Sequence, residues 1–271
     1  MIRDITIGQY YPADSPIHKL DPRVKLFATI LYIVALFCFK GVAGFAVITA
    51  FLILAIKVSK VPFSYMVKGL KAILILMAFT SLFNLLLTSG EVTYWSWGFI
   101  KITDEGVKNT LLLIIRLVYL ILGTSLMTLT TTPNQLTDGL EKGLRPLNKI
   151  HIPVHAIAMM MSIALRFIPI LIEETDKIMK AQMARGADFE SGNLIQKAKS
   201  MVPLLVPLFV SAFRRAEDLA MAMEARCYNG GEGRTKMKPL KYKTADYGAY
   251  VFLLVFLAAV ICLAIWVPFP F

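Results

Sequence analysis

Charged side chains are scarce in this chain: only 17% of its 271 residues are Asp, Glu, Lys or Arg, against about 25% in a soluble domain. Hydrophobic residues make up 57%, with a mean hydropathy of +0.64. The excess lies in long blocks, which a bilayer needs and a soluble core does not. The chain therefore reads as an integral membrane protein. Acidic residues are scarcer than basic ones, 18 against 29, a net charge of +11. In a soluble protein that excess would point to nucleic acid. Among apolar blocks it has a simpler cause in the Lys and Arg that collect on cytoplasmic loops, so no nucleic-acid partner is expected. The three cysteines, Cys38, Cys227 and Cys262, have no metal or redox spacing and imply no disulfide framework.

Catalytic signatures are missing too. No G-x-x-x-x-G-K-[ST] phosphate loop occurs, and Gly230-Gly231-Glu232-Gly233 follows a helix instead of opening one. The chain is not expected to hydrolyse ATP by itself. His151 and His155 have Pro153 between them and no flanking carboxylate in sequence, so the zinc-protease pattern is absent and no metal is expected. No nucleophile–base set or carboxylate cluster falls at membrane depth. The chain is read as a non-enzyme without cofactors. No cleavable signal peptide is visible, because residues 1–25 are polar and the first apolar run begins at Leu26.

What is present is a series of apolar spans. Asp21-Pro22 marks a helix start, with Asp as N-cap and Pro at the first helical position. Spans follow at about 24–39, 42–57, 66–88, 106–130 and 246–267, judged against ~30 Å of hydrocarbon at 1.5 Å per residue. The first two are read as a tight hairpin, with one interrupted hydrophobic region as the alternative. Lys57, Lys60, Lys68 and Lys71 mark a cytoplasmic loop, and Tyr94, Trp95, Trp97 and Phe99 an outer aromatic belt. The positive-inside rule then places the N-terminus in the cytoplasm and the C-terminus outside. The fold class expected is all-α: a multi-pass membrane protein with about five transmembrane helices plus long amphipathic cytoplasmic helices. Its parts are 1–132, a lead-in and four spans; 133–244, the cytoplasmic region; and 245–271, the last span.

The cytoplasmic region carries 17 of the 29 basic residues. A short amphipathic helix is expected from Pro133, with Leu136, Leu140, Leu144 and Leu147 on one face and Pro146 bending its end. Two long helices follow at roughly 155–185 and 194–226. Both hold apolar runs, 156–172 and 201–213. If both crossed the membrane, Lys177, Lys180, Arg185, Lys197 and Lys199 would lie outside, against the charge rule. They are read instead as helices along the cytoplasmic face whose apolar sides need cover. Each ends in an Ala-Arg-small tripeptide, Ala184-Arg185-Gly186 and Ala225-Arg226-Cys227, with the arginines 41 residues apart. The expected stops are Gly186 for the first and Asn229-Gly230-Gly231 for the second. An arginine in a last turn can simply complement the helix dipole. Two such ends on one side of a membrane favour docking, since the guanidinium fork binds a carboxylate bidentately and its small neighbours clear the way. Nine of the 13 methionines lie between Met159 and Met237. That is either core filling or a surface accepting several partners. Arg116, inside the fourth span, is either structural or, in a self-contained permease or channel, a pathway residue.

Three stretches carry a family resemblance: the lead-in Gly8-Gln9-Tyr10 with Ser15-Pro16-Ile17-His18-Lys19-Leu20-Asp21-Pro22-Arg23-Val24-Lys25-Leu26, and the two arginine tripeptides. With them the chain resembles the transmembrane T component of energy-coupling factor (ECF) transporters. In the second tripeptide cysteine stands where glycine is common. The resemblance implies a scaffold in a prokaryotic cell membrane whose cytoplasmic helices are coupling helices. Ala184, Arg185, Gly186, Ala225, Arg226 and Cys227 would dock two ABC-type ATPase subunits, one motif each. Their ATP-driven closure would move a substrate-binding membrane S component, exchangeable among vitamins or other micronutrients. The competing reading from the residues alone is the self-contained permease or channel; a membrane-embedded enzyme lacks candidate chemistry.

Overall fold

The structure is a computed structural model that describes residues 10–38, 42–88, 93–97, 100–189, 193–230, 237 and 239–266. In chain order these residues form α1 (Pro16–Lys19), α2 (Pro22–Cys38), α3 (Val42–Ser59), α4 (Phe63–Leu87), β1 (Thr93–Trp97), β2 (Ile100–Thr103), α5 (Asp104–Thr130) and α6 (Pro133–Leu144). A 3₁₀ turn (Arg145–Ile150), α7 (Val154–Ala184), α8 (Leu194–Ala225) and α9 (Thr244–Trp266) complete it. The class is all-α. The one departure is local: β1 and β2 pair as an antiparallel hairpin, Thr93 opposite Thr103 and Trp97 opposite Ile100, where the sequence suggested an irregular aromatic loop. The side chains of the expected aromatic belt lie outside the described residues.

Local chemistry sets the helix starts. Asp21 Oδ1 accepts from the Arg23 N–H at 2.9 Å while Pro22 occupies the first helical position. Thr103 Oγ1 caps α5 through the Gly106 N–H at 3.1 Å, and Asp104 and Glu105 in the first turn suit the dipole. Thr132 and Gln135 exchange reciprocal backbone bonds at 3.3 and 3.2 Å, a capping box that opens α6. Asn193 and Gln196 do the same for α8. Pro146 begins the 3₁₀ turn after α6, so it ends that helix instead of bending it.

The first two expected spans are separate helices, α2 and α3. Among the described residues, α5, α7 and α9 are long and apolar enough to cross a bilayer, and the two halves of α4, bent by 59°, would make a fourth span. The α3 segment is a shorter apolar helix. Composition alone thus admits α7 as a span alongside the expected set.

Two compact units divide the chain: Gly8–Gly139 with Leu240–Phe271, and Leu140–Pro239 with Met1–Ile7. In the first, α2 packs against α3, α5 and α9. Ala35 and Leu36 of α2, Ile48 of α3 and Val260 of α9 are fully buried there. Phe51 stacks on Phe256 with centroids 4.3 Å apart. Gly123 lets the Tyr32 ring lie on the α5 backbone, and the Tyr32 hydroxyl donates to the Tyr119 carbonyl at 2.9 Å. Small residues are what permit such close approach between membrane helices. A Cβ at position 123 would fall 2.3 Å from the Tyr32 ring, so Gly123→Val should cost about 1–3 kcal/mol by overpacking. A thermal melt of the purified variant that matches the wild type would contradict this packing.

In α4, Asn84 Oδ1 accepts from Thr110 of α5 at 3.5 Å, an interhelical bond of the expected kind. Thr80 differs: its hydroxyl bonds back to Leu76 O at 3.0 Å within its own helix. Arg116 of α5 sits 5.5 Å from the centroid of the Phe37 ring.

Candidate docking site at two helix ends

Both arginine tripeptides end long helices by the same backbone device. Arg185 is the C-cap of α7, with φ −88° and ψ 6°; Arg226 is the C-cap of α8, with φ −93° and ψ 12°. After α7, the Ala187 N–H reaches Gln182 O at 3.0 Å and the Gly186 N–H reaches Met183 O at 3.0 Å. After α8, the Tyr228 N–H reaches Met223 O at 3.0 Å and the Cys227 N–H reaches Glu224 O at 2.8 Å. These are paired 6→1 and 5→2 bonds, the Schellman arrangement, and each needs a left-handed residue just past the cap. Gly186 supplies it at φ +88° and Cys227 at φ +56°. The stop of the second helix is therefore Cys227 itself, not the Asn229-Gly230-Gly231 stretch. The last position of each tripeptide is a backbone position, which is why glycine suits it.

A non-glycine residue in the left-handed region costs roughly 1–2 kcal/mol. Cys227→Gly should accordingly stabilise the α8 end by about 1 kcal/mol with the docking surface intact. Slower hydrogen exchange of the Cys227 and Tyr228 amides is the measurement; faster exchange would count against the assignment.

The backbone bonds also decide what the guanidinium groups do. The last carbonyls are already taken, so neither arginine is needed to cap them. Arg185 and Arg226 are both exposed, and among the described residues neither makes a hydrogen bond or ion pair. Ala184 and Ala225 beside them are exposed as well. Each helix end thus presents an unpaired planar cation on a rigid turn, with small residues around it.

α7 and α8 run antiparallel against each other. Glu174 and Arg215 pair at 3.1 Å, and Gln182 Nε2 donates to Pro203 O at 3.4 Å. Pro207 has no N–H to give the carbonyl four residues earlier, and Gln182 takes its place. Arg185 therefore lies at the Pro203 end of the pair, and Arg226 lies beyond Arg215 at the other. At 1.5 Å per residue from Pro203, the two arginines are on the order of 35 Å apart. Sequence reasoning missed Glu174, Arg215 and Gln182. A usable signal existed: Glu174 and Arg215 are 41 residues apart, the spacing that separates the two arginines of the tripeptides.

The same unit corrects one further expectation. His155 lacks a flanking carboxylate in sequence, yet the fold brings Glu141 Oε1 to 2.9 Å from its Nδ1. That pair ties the end of α6 to the start of α7. No group of three or more metal-ligating side chains occurs among the described residues.

In the other unit the lead-in forms a polar knot around the start of α2. His18 Nε2 faces Tyr11 O at 3.0 Å and its Nδ1 faces Ser15 Oγ at 2.6 Å. A carbonyl can only accept, so Nε2 carries the proton and Nδ1 accepts from the serine. Burial lowers the His18 pKa, in keeping with this neutral form. Lys25 Nζ donates to Thr130 O at 2.8 Å and His18 O at 3.2 Å, capping the end of α5. Asp246, at the start of α9, accepts from the Asp21 N–H at 2.8 Å and the Lys243 N–H at 2.7 Å. Arg23 pairs with Asp21 at 2.8 Å and lies 3.8 Å over the Tyr242 ring. The residues of the lead-in signature thus fasten helix ends together and bear no reactive group.

Comparison with known proteins places this architecture. Residues 13–237 match the family model described as CbiQ, cobalt transport protein. The chain is 57% identical over 267 residues to the energy-coupling factor transporter transmembrane protein EcfT of Clostridium kluyveri, covering 98% of this chain and 99% of that one. It is 50% identical over 258 residues to the protein of that name from Bacillus subtilis, covering 95% and 97%. The chain belongs to the CbiQ family as a transmembrane component of ECF transporters. A third relative of that name, from Lactococcus lactis, is 45% identical over 245 residues, covering 90% of this chain and 92% of that one. The family match takes in the lead-in from Ala13 and both arginine tripeptides. The chain is a membrane protein of a bacterial transporter family, and α5 and α9 have the length and hydropathy that its description requires.

Proposed function

We propose that this chain couples ATP hydrolysis in two bound ABC-type ATPase subunits to substrate uptake through an S component. The observation that carries the reading is the pair of matched helix ends: two exposed, unpaired arginines on identical rigid turns, on the order of 35 Å apart. One partner could not dock both ends with a single small groove. Two copies of one kind of groove, on two ATPase subunits, fit the arrangement. The chain itself contributes no catalysis. Ala184, Gly186, Ala225 and Cys227 shape the turns, and Arg185 and Arg226 enter acidic or carbonyl-lined grooves in the partners.

The S component covers the exposed apolar faces behind these ends. Val202, Val206, Phe209 and Phe213 are exposed along α8 at spacings of four, three and four, a helical stripe. Met160 and Met161 of α7 and Met201 of α8 are exposed too. Their flexible side chains suit a surface that exchanges one S component for another. In this reading α7 and α8 lie along the cytoplasmic face, α2, α3, α4, α5 and α9 cross the membrane, the N-terminus is inside and the C-terminus outside, as the distribution of Lys and Arg supports.

Purification from the native membrane, followed by reconstitution, tests the proposal. The chain should bring down two ATPase subunits and an S component, and alone in liposomes it should transport nothing. Uptake by the isolated chain would sink the scaffold reading in favour of a self-contained permease.

A further inference from the structure

The unit containing α2 holds a cavity of about 290 Å³ framed by α1, α2, α3, α5 and α9. Val24, Phe51, Leu126 and Leu253 are typical of its wall, which is almost wholly apolar. Leu54, Val58 and Phe252 also line it and are exposed, so it opens sideways along the seam between α3 and α9. The one cation in its wall, Lys25, is already committed to two carbonyls.

A second pocket, of about 550 Å³, shares Ile17, Leu20 and Val58 with the first and is continuous with it. Its rim is polar and basic, with Lys19, Lys60, Asp14 and Ser15. Lys19 is held by Asp14 at 2.7 Å. Lys60 is exposed and, among the described residues, its ammonium group has no partner. It ends α3 with φ +55°, a left-handed conformation that glycine would adopt more easily. Both ammonium groups act on one place: the hydrogen bond and charge of Lys19, then the charge of Lys60, hold the Asp14 carboxyl below its ordinary range.

An apolar cavity open to the bilayer is filled by hydrocarbon. Lipid tails are as apolar as its wall, so the wall alone cannot choose among lipids. The headgroup must do so, and the rim that a headgroup would meet is basic. We propose that the joined pockets hold one anionic phospholipid, with an acyl chain in the apolar cavity and its phosphate between Lys19 and Lys60. The site belongs to the membrane unit and needs no ATPase or S component, so its failure would leave the transport reading standing.

Native mass spectrometry of the purified full chain in nanodiscs, with phosphatidylglycerol competing against phosphatidylcholine, tests this. The wild type should retain one phosphatidylglycerol in preference. Lys60→Gly removes an ammonium group while relieving the positive φ, so it cannot act by unfolding. It should weaken the preference about fivefold, and Lys19→Gln with it about twentyfold, the effect of roughly one surface lysine each. Ala55→Phe, filling the apolar cavity, should release the retained lipid. Equal retention of the two lipids by the wild type would overturn the proposal. So would an unchanged preference in the double lysine variant, or retention of the lipid by Ala55→Phe.

Discussion

Reversing both terminal arginines, Arg185→Glu with Arg226→Glu, is expected to abolish ATP-driven uptake while the chain still folds and inserts. Both side chains are exposed and, among the described residues, unpaired, and the turns that hold them are closed by backbone bonds alone. Nothing in the fold therefore depends on their charge. Docking does: truncating one partner of a desolvated interfacial charge pair costs about 2–5 kcal/mol. At 1.4 kcal/mol per tenfold, each end should bind its ATPase about thirtyfold to a few thousandfold more weakly. Arg→Lys at either position should fall between, keeping the charge but losing the planar fork. ATPase recovered per chain, together with uptake in vesicles, is the measurement. Near-normal uptake and coupled hydrolysis in the double variant would falsify the docking role.

The largest loss of stability is expected from Asp246→Ala. Asp246 is only 2% exposed, and its two oxygens serve different helices. One accepts the Asp21 N–H where α2 begins; the other accepts the Lys243 N–H at the start of α9 itself. Alanine would leave two N–H donors without their acceptor. Hydrogen bonds to a charged group contribute about 1.5–3 kcal/mol each, so the loss should be about 3–5 kcal/mol. Asn is a poor substitute, because its amide NH₂ would face one of the two donors. At about 2–4 °C per kcal/mol for a chain of this size, the melting temperature in detergent should fall by roughly 10 °C. An unchanged melt in Asp246→Ala would show that the bridge between the two helix starts is dispensable.

Much of the fold was legible because it is written locally. Hydropathy over twenty residues marks a membrane helix wherever it occurs, and α5 and α9 fall where the apolar blocks lie. Caps act within one turn, so Asp21-Pro22 announced α2. Gly186 likewise announced the end of α7. The two arginine tripeptides were legible for the same reason, as local stops at a fixed separation. The Cys227 stop was not. Asn229-Gly230 looks like the better terminator, yet the turn is closed by N–H groups at 227 and 228, and the cysteine bears the strain. The β1–β2 hairpin escaped because its aromatic residues carry no tight-turn signature between them.

The sequence by itself determined that this is an all-helical membrane protein without a nucleotide loop, with two long helices ending in matched arginines. Those are properties of composition and of contacts a few residues long. Only the tertiary structure decided which polar groups meet. Asp246 reaches Asp21 across 225 residues, Glu141 meets His155, and Glu174 crosses to Arg215. Each pairing depends on the register and rotation of one packed helix against another, which no local pattern records. The same packing separates the two arginines by most of the length of α8. That separation makes them two docking points instead of one.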